Sequence, residues 1–326
     1  MKMEQEIFYN QKKKDLTIIG AAIIDILAGP ITPDVFRTGS QPVDTIRLSF
    51  GGDALNEAAI LAKFGKNVEL ISKVGLDDAG ERVLDFMERL GMPTDSIVIE
   101  DGLATSMNLV LVDENGERCF LTNPAGSLRR LSLQDIETYL DGAADLVSFA
   151  GMFVSPQLDI PAMEHMFRMI KQKPGRTLAV DMTKAKNGER LEDLKRLLPY
   201  IDYIFPNEAE ISLLTGQTDP AVNARLLVQA GVSCAVVKCA GNGCLICTAD
   251  GTLPIPAYPV ETVTDTTGAG DCFAAGFLWA LSEGMSLEAC GKFACAAASC
   301  AVETMGATEG ISSLEEPLRR FSAYWK

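Results

Sequence analysis

"DLVSFAGMFVSPQLDIPAMEHMFRMIKQKPGRTLAVDM", residues Asp145–Met182, opens on a short apolar run, continues through a longer segment with helical spacing and closes on a second apolar run. Runs of strand length that are apolar throughout read as strands buried on both faces, and a helix between two of them supplies the crossover that a parallel pair requires. The rhythm extends both ways. Upstream, "LTIIGAAII" and "NVELISKVG" read as buried strands, and "DALNEAAILAKFG" and "DAGERVLDFMERLG" as helices stopped by Gly65 and Gly91. Downstream, "YIDYIFP" and "CAVVKCAG" read as strands, with "LEDLKRLLP" and "AVNARLLVQAG" as helices. This alternation predicts an α/β fold with a mostly parallel central sheet and helices on both faces.

Two segments break the rhythm. "VDTIRLSF" (Val43–Phe50) and "SMNLVLVDENGERCFLTN" (Ser106–Asn123) read as strands with no helix between them, and Asn115-Gly116 in the second suits a primed hairpin turn. They predict a small β-sheet lid, built from about residues 31–50 and 104–124 and inserted within one domain spanning 15–326. Residues 1–14 read as a polar extension. Such a sheet can cover a pocket, and its edges can pair with a second copy of the chain.

The chain has 326 residues, 47% of them hydrophobic, enough for one large core. A formal charge of −15 opposes contact with phosphate backbones, so nucleic acid is not an expected partner. Lys12, Lys13 and Lys14 ahead of an apolar run imitate a signal peptide, but Asp25 interrupts that run. No stretch approaches the ~18 apolar residues of a membrane span, and a cytoplasmic protein without membrane contact is expected. Of nine cysteines, Cys239, Cys244 and Cys247 come nearest to zinc spacing, but a second C-x-x-C is missing. Cys290, Cys295 and Cys300 recur at a spacing that turns each about 140° from the last on a helix. With His165 the single histidine, reduced and packed thiols are the expectation.

"TTGAGD" (Thr266–Asp271) stands just before the helical run "CFAAGFLWALSEG". Glycines ahead of a helix let the backbone fold tightly and direct free N–H groups inward, where the helix dipole adds positive charge; together they form an anion hole. A carboxylate in that turn repels a resting phosphate, which suits Asp271 to taking a proton from an attacking group. A short G-x-G before a helix is also ordinary loop and cap structure. Neither a Walker loop nor a G-x-G-x-x-G turn occurs.

"GGDALNEAAILAKFG" (Gly51–Gly65), "PNEAE" (Pro206–Glu210) and "DTTGAGDCFAAGF" (Asp265–Phe277), in that order along the chain, resemble the signatures of the ribokinase-like carbohydrate kinases, also called the PfkB family. The resemblance implies Asp271 as catalytic base, with Gly268, Ala269 and Gly270 giving amides to the transferring phosphoryl group. It implies Asn207 and Glu210 as organisers of Mg2+ beside ATP, against the plainer reading of a strand end and helix cap. "KCAGNG" resembles the segment bordering the nucleotide, which brings in Lys238, Gly241 and Gly243. Asp25 and Asn56 match positions that bind sugar hydroxyls, and Gly51 and Gly52 allow close approach. Asp265, with Thr267 and the loop around Gly306, matches a site for a monovalent cation, K+; the alternative for Asp265 is a turn cap.

The acceptor site departs from the ribose-specific pattern. Ile23 stands where that pattern has Asn, Asp53 where it has Lys, and Val154 where it has Glu. An unpaired buried polar group costs about 1 to 3 kcal/mol, so three such changes argue against ribose. Asp53, still counted among the acceptor-binding residues, disfavours an acid group beside it, although Arg118, Lys184 or Lys186 could receive one elsewhere. The resemblance implies ATP-dependent phosphorylation of a hydroxyl on a small sugar or sugar-like polyol. The alternatives are a nucleoside, sugar acid or sugar phosphate acceptor, or a non-catalytic sugar-binding protein. The resemblance also offers a homodimer through the lid sheets, with a monomer as the alternative, since both occur in the family.

Overall fold

In the computed structural model, residues 13–114 and 118–325 are described. Thirteen strands run in chain order: β1 (Leu16–Ile19), β2 (Ile23–Gly29), β3 (Thr45–Gly51), β4 (Val68–Gly75), β5 (Ile97–Glu100), β6 (Met107–Val112), β7 (Arg118–Thr122), β8 (Leu146–Met152), β9 (Thr177–Met182), β10 (Tyr203–Phe205), β11 (Cys234–Lys238), β12 (Cys244–Thr248) and β13 (Gly251–Ile255). Nine form the central sheet in the order β13-β12-β11-β10-β9-β8-β1-β4-β5. From β11 to β5 all neighbours are parallel, and β12 and β13 add an antiparallel edge.

The helices are α1 (Val35–Thr38), α2 (Asp53–Lys63), α3 (Asp78–Arg89), α4 (Leu133–Leu140), α5 (Ile160–Lys171), α6 (Glu208–Thr215), α7 (Pro220–Gln229), α8 (Ala269–Ser282), α9 (Leu287–Val302) and α10 (Glu315–Tyr324). Side chains alternate across a strand, so Leu16 and Ile18 join the core made with α2, α3, α8 and α9, while Ile19 joins the core made with α4, α5, α6 and α7. The continuous apolar runs of the sequence are thus explained by helices on both faces. Helix α9 lies between α8, α10 and the β12–β13 edge, which is why Cys290, Cys295 and Cys300 are all buried although they point in different directions. Cys119 is the exposed free cysteine of the described residues. Among those residues, no helix is long and apolar enough to cross a membrane.

The lid is a four-stranded sheet in the order β3-β2-β6-β7. Here the structure differs from the sequence reading of "LTIIGAAII" as one strand. The chain leaves the central sheet after Ile19 and enters the lid at Ile23. The pivot is Gly20, where a Cβ would stand 2.3 Å from the Ala150 carbonyl oxygen. Lid strand β2 therefore precedes the segment 31–50 that the sequence suggested. "LEDLKRLLP" differs too: it forms only 3-10 turns at Leu191–Leu194 and Leu198–Tyr200, since Pro199 cannot continue a helical hydrogen-bond ladder. The Asn115-Gly116 turn falls outside the described residues, but β6 and β7 pair antiparallel on either side of it.

Register gives the lid two unlike faces. Ser49, Asp25, Asn108 and Thr122 align across the four strands on one face. Leu48, Ile26, Leu109 and Leu121 align on the other, with Leu48, Leu109 and Leu121 exposed by 42%, 37% and 49%.

Candidate active site

Helix α8 begins at the glycine turn. Gly268 caps it in the left-handed conformation, φ 68°, and a Cβ there would lie 2.3 Å from the Ala307 carbonyl oxygen. Only glycine fits, because the turn needs both that backbone angle and the close approach of the loop after α9. Asp271 follows in the first turn of α8. Its Oδ2 accepts a hydrogen bond of 2.6 Å from Asn56 Nδ2, so Asn56, expected to meet a sugar hydroxyl, is spent in part on the carboxylate.

Asn56 is placed by the start of α2. Gly52 precedes that helix at φ 92°, with the Ala21 carbonyl oxygen 2.5 Å from where its Cβ would be. A Cβ on Gly51 would stand 2.2 Å from Asp25 Oδ2, so that glycine clears room for the lid carboxylate. Asp25 Oδ1 accepts from Asn108 Nδ2 at 2.9 Å, and Thr122 Oγ1 donates to Asn108 Oδ1 at 2.8 Å. This polar row was half legible: Asp25 is a sequence candidate, whereas Asn108 carries no signal of its own.

Behind the turn lies a group of buried acids. Asp181, at the C-terminal end of β9, accepts two bonds from Lys238 Nζ, of 2.8 and 2.9 Å. Lys238 Nζ stands 3.4 Å from where a Gly270 Cβ would be, so the ammonium faces the glycine turn. Asp53 packs under β8, its Oδ2 2.9 Å from the Cβ position of Gly151, with Val154 beside it. Glu57 is fully buried and accepts from Ser148 Oγ at 2.8 Å, while its Oε1 has no partner.

Burial sets the titration of this group. It pushes Asp271 well above the ordinary carboxylate range; the charge of Asp53 adds to this and the Asn56 bond opposes it. Asp53 is pushed up to about 6 by burial and by Asp181, with Lys238 and Lys186 opposing. Glu57 is raised by burial and then by Asp181. Lys238 is desolvated as well, but Asp181 and Glu210 more than offset this and hold its pKa above the usual lysine value. Sequence reasoning missed Asp181 and Glu57. A signal existed for Asp181, since ligand sites in open α/β sheets form at the carboxyl ends of parallel strands.

A cavity of about 710 Å3 is lined by Asp53, Asp181, Lys238, Gly270 and Asp271 of this group. Asn207, Glu210, Gly241 and Gly243 line it as well, with Asn207 bridged to Lys238. Asp25, Gly51, Gly52 and Asn56 are not part of its lining and meet it from the lid side, through the Asn56–Asp271 bond. Asn207 and Glu210 form a reciprocal capping box on α6, Glu210 N donating to Asn207 Oδ1 at 2.9 Å and Asn207 N to Glu210 Oε2 at 2.8 Å. The capping role is therefore real, and the same side chains face the cavity. Burial pushes Glu210 up to about 7. Gly243, φ 89°, sits 2.1 Å (at its Cβ position) from the Ile255 carbonyl oxygen, while Gly241 has open space beside it.

Asp265 departs from its expected use. Its Oδ1 accepts from Thr267 N at 2.7 Å and its Oδ2 from Gly306 N at 2.8 Å, and Oδ1 is also ion-paired with Arg118 of the lid. Thr267 and Gly306 thus direct N–H groups at Asp265, and a guanidinium stands on the carboxylate where the sequence suggested K+. The turn-cap reading of Asp265 describes its two backbone bonds. Among the described residues, no group of three or more His, Cys, Asp and Glu side chains is arranged to hold a metal by itself.

The family model for pfkB carbohydrate kinases matches residues 13–314. A sugar kinase of Archaeoglobus fulgidus is 30% identical over 252 residues, covering 77% of this chain and 97% of that protein. A nucleoside kinase of Methanothermobacter thermautotrophicus is 27% identical over 316 residues, covering 96% of this chain and 97% of its own. In structure, Arabidopsis thaliana ribokinase complexed with ribose and ATP is similar at a TM-score of 0.79 and 24% identity, covering 94% of this chain and 98% of that one.

Proposed function

The chain belongs to the pfkB family of carbohydrate kinases, and on that premise we propose that it transfers the γ-phosphoryl group of ATP to a hydroxyl of a small sugar or sugar-like polyol other than ribose. One observation carries the reading. Asp271 lies at the start of α8, where it accepts a hydrogen bond from Asn56 and shares a cavity wall with the Lys238–Asp181 pair. A base in that position lies between the two substrates that must meet.

In the proposed reaction the acceptor hydroxyl sits between the lid row of Asp25 and Asn108 and the Asp271 carboxylate. Asp271 takes the hydroxyl proton as the oxygen attacks the γ-phosphorus, and ADP leaves along the cavity. The N–H groups of Gly268 and Gly270 and the Lys238 ammonium stabilise charge on the transferring group, whereas the Ala269 N–H, counted with them from the sequence, donates to the Thr266 carbonyl at 3.3 Å. The lid keeps out water that would otherwise take the phosphoryl group. Glu210 and Asn207 offer the hard oxygen donors that Mg2+ prefers, and Mg2+ there would neutralise the ATP phosphates. Gly241 and Gly243 would border the nucleotide by backbone.

A second acceptor class has its own support. Phe120, 54% exposed, lies on the same lid face as Asp25 and could stack on a nucleobase. Similarity to the Methanothermobacter nucleoside kinase agrees with that reading. Assaying sugars and nucleosides side by side separates the two, because a Phe120→Ala variant should lose affinity only for nucleosides.

We read residues 15–326 as one kinase domain with the lid inserted, and the exposed apolar row of the lid as a homodimer contact. We assign the enzyme to the cytoplasm, where ATP is available and unpaired thiols stay reduced.

A further inference from the structure

Arg118 and Asp265 come from opposite sides of the active site. Arg118 opens lid strand β7, and Asp265 opens the glycine turn. Their side chains are 18% and 1% exposed, so the ion pair is shielded from water. Asp265 in turn collects Thr267 N of the turn and Gly306 N of the loop after α9. The same loop presses on Gly268 through Ala307. One buried carboxylate therefore fastens the turn to the loop that shapes it, and a lid arginine balances its charge. A second lid arginine grips this loop as well, with Arg47 Nη2 donating to the Met305 carbonyl at 2.9 Å.

Removing the cation from a buried pair leaves an uncompensated charge, which the surroundings relieve by moving or by admitting water. A lid position that withdrew Arg118 would leave Asp265 with the Thr267 and Gly306 N–H bonds. Resting on the kinase reading, we propose that Arg118 is a positioning residue that supplies the cationic partner of Asp265 from the lid, so that the phosphoryl-binding turn is completed only on lid closure and catalysis requires no free monovalent cation. Arg118 also acts electrostatically on Asp25, which ties the same guanidinium to the acceptor side.

The test uses the full chain, Arg118→Met and Arg118→Lys, with ADP formation measured in potassium chloride and in tetramethylammonium chloride at equal ionic strength. Wild-type rates should agree within about 2-fold between the salts. Arg118→Met should lower kcat by about 100-fold, the scale of a misplaced reacting group, with the KM for ATP little changed and part of the loss restored by potassium. Arg118→Lys should recover most of kcat. A wild type that depends on potassium, or a lysine variant no better than methionine, overturns the proposal. Amide hydrogen exchange gives a readout free of activity: the Thr267 and Gly306 amides should exchange faster in Arg118→Met and near wild-type rates in Arg118→Lys. Unchanged exchange in Arg118→Met overturns the coupling even if kinase activity is confirmed. If no acceptor yields ADP but exchange responds as described, the link between lid and turn stands and the kinase reading fails.

Discussion

Asn56 Nδ2 donates to Asp271 Oδ2 at 2.6 Å, joining the start of α2 to the start of α8. The bond favours the ionised carboxylate and so counteracts the burial that raises it. Replacing Asn56 by Ala should therefore move the acid limb of the kcat/KM profile to higher pH. An unshifted limb would show that the bond does not govern Asp271. Asp271→Ala should lower turnover by about 100-fold to 10,000-fold, the range for loss of a general base.

The buried acids make stability depend on pH in a definite direction. Glu57 has a folded-state pKa above its ordinary 4.5, so its contribution is fully present below that value and is lost as pH rises through the folded pKa. Glu57→Gln should consequently raise Tm more at pH 8 than at pH 5. A gain of the same size at both values would mean that packing, not charge, is responsible.

Lys238 and Asp181 should behave as a unit. Lys238→Met leaves a buried carboxylate without its cation, at a cost of about 3 to 5 kcal/mol. The double variant with Asp181→Asn should recover much of that stability yet stay inactive, because the charge facing the glycine turn is gone. Recovery of activity in the double variant would exclude Lys238 from phosphoryl stabilisation. Denaturant titration and ADP release together make the comparison.

The outer lid row predicts assembly. Leu109→Lys places a charge at the centre of the Leu48, Ile26, Leu109 and Leu121 row, and sedimentation should show a dimer converted to monomer. A wild-type chain that sediments as a monomer at high concentration refutes the lid interface.

The parallel sheet was legible because strands buried on both faces leave apolar runs between helical segments, as in Asp145–Met182. The passage from β1 to lid strand β2 was not, because "LTIIGAAII" stays apolar while it changes sheets and only the clash at Gly20 marks the step. In the site, the glycine turn announced itself through spacing within one segment. The partnerships that shape its chemistry join residues far apart in the chain: Asn56 with Asp271, Lys238 with Asp181, and Arg118 with Asp265. Each is made by tertiary packing, which local pattern does not encode. Arg118 stood in the sequence only as one of three cations that could receive an acid group, and β7 pairs it instead with Asp265.

The most direct measurement is ADP release with ATP and Mg2+ across pentoses, hexoses, ketoses, sugar acids and nucleosides, run beside Asp271→Ala. The account predicts that a neutral sugar or polyol other than ribose stimulates release strongly and that the variant abolishes this. Stimulation that survives in Asp271→Ala, or bound ATP left intact with every acceptor, would contradict it.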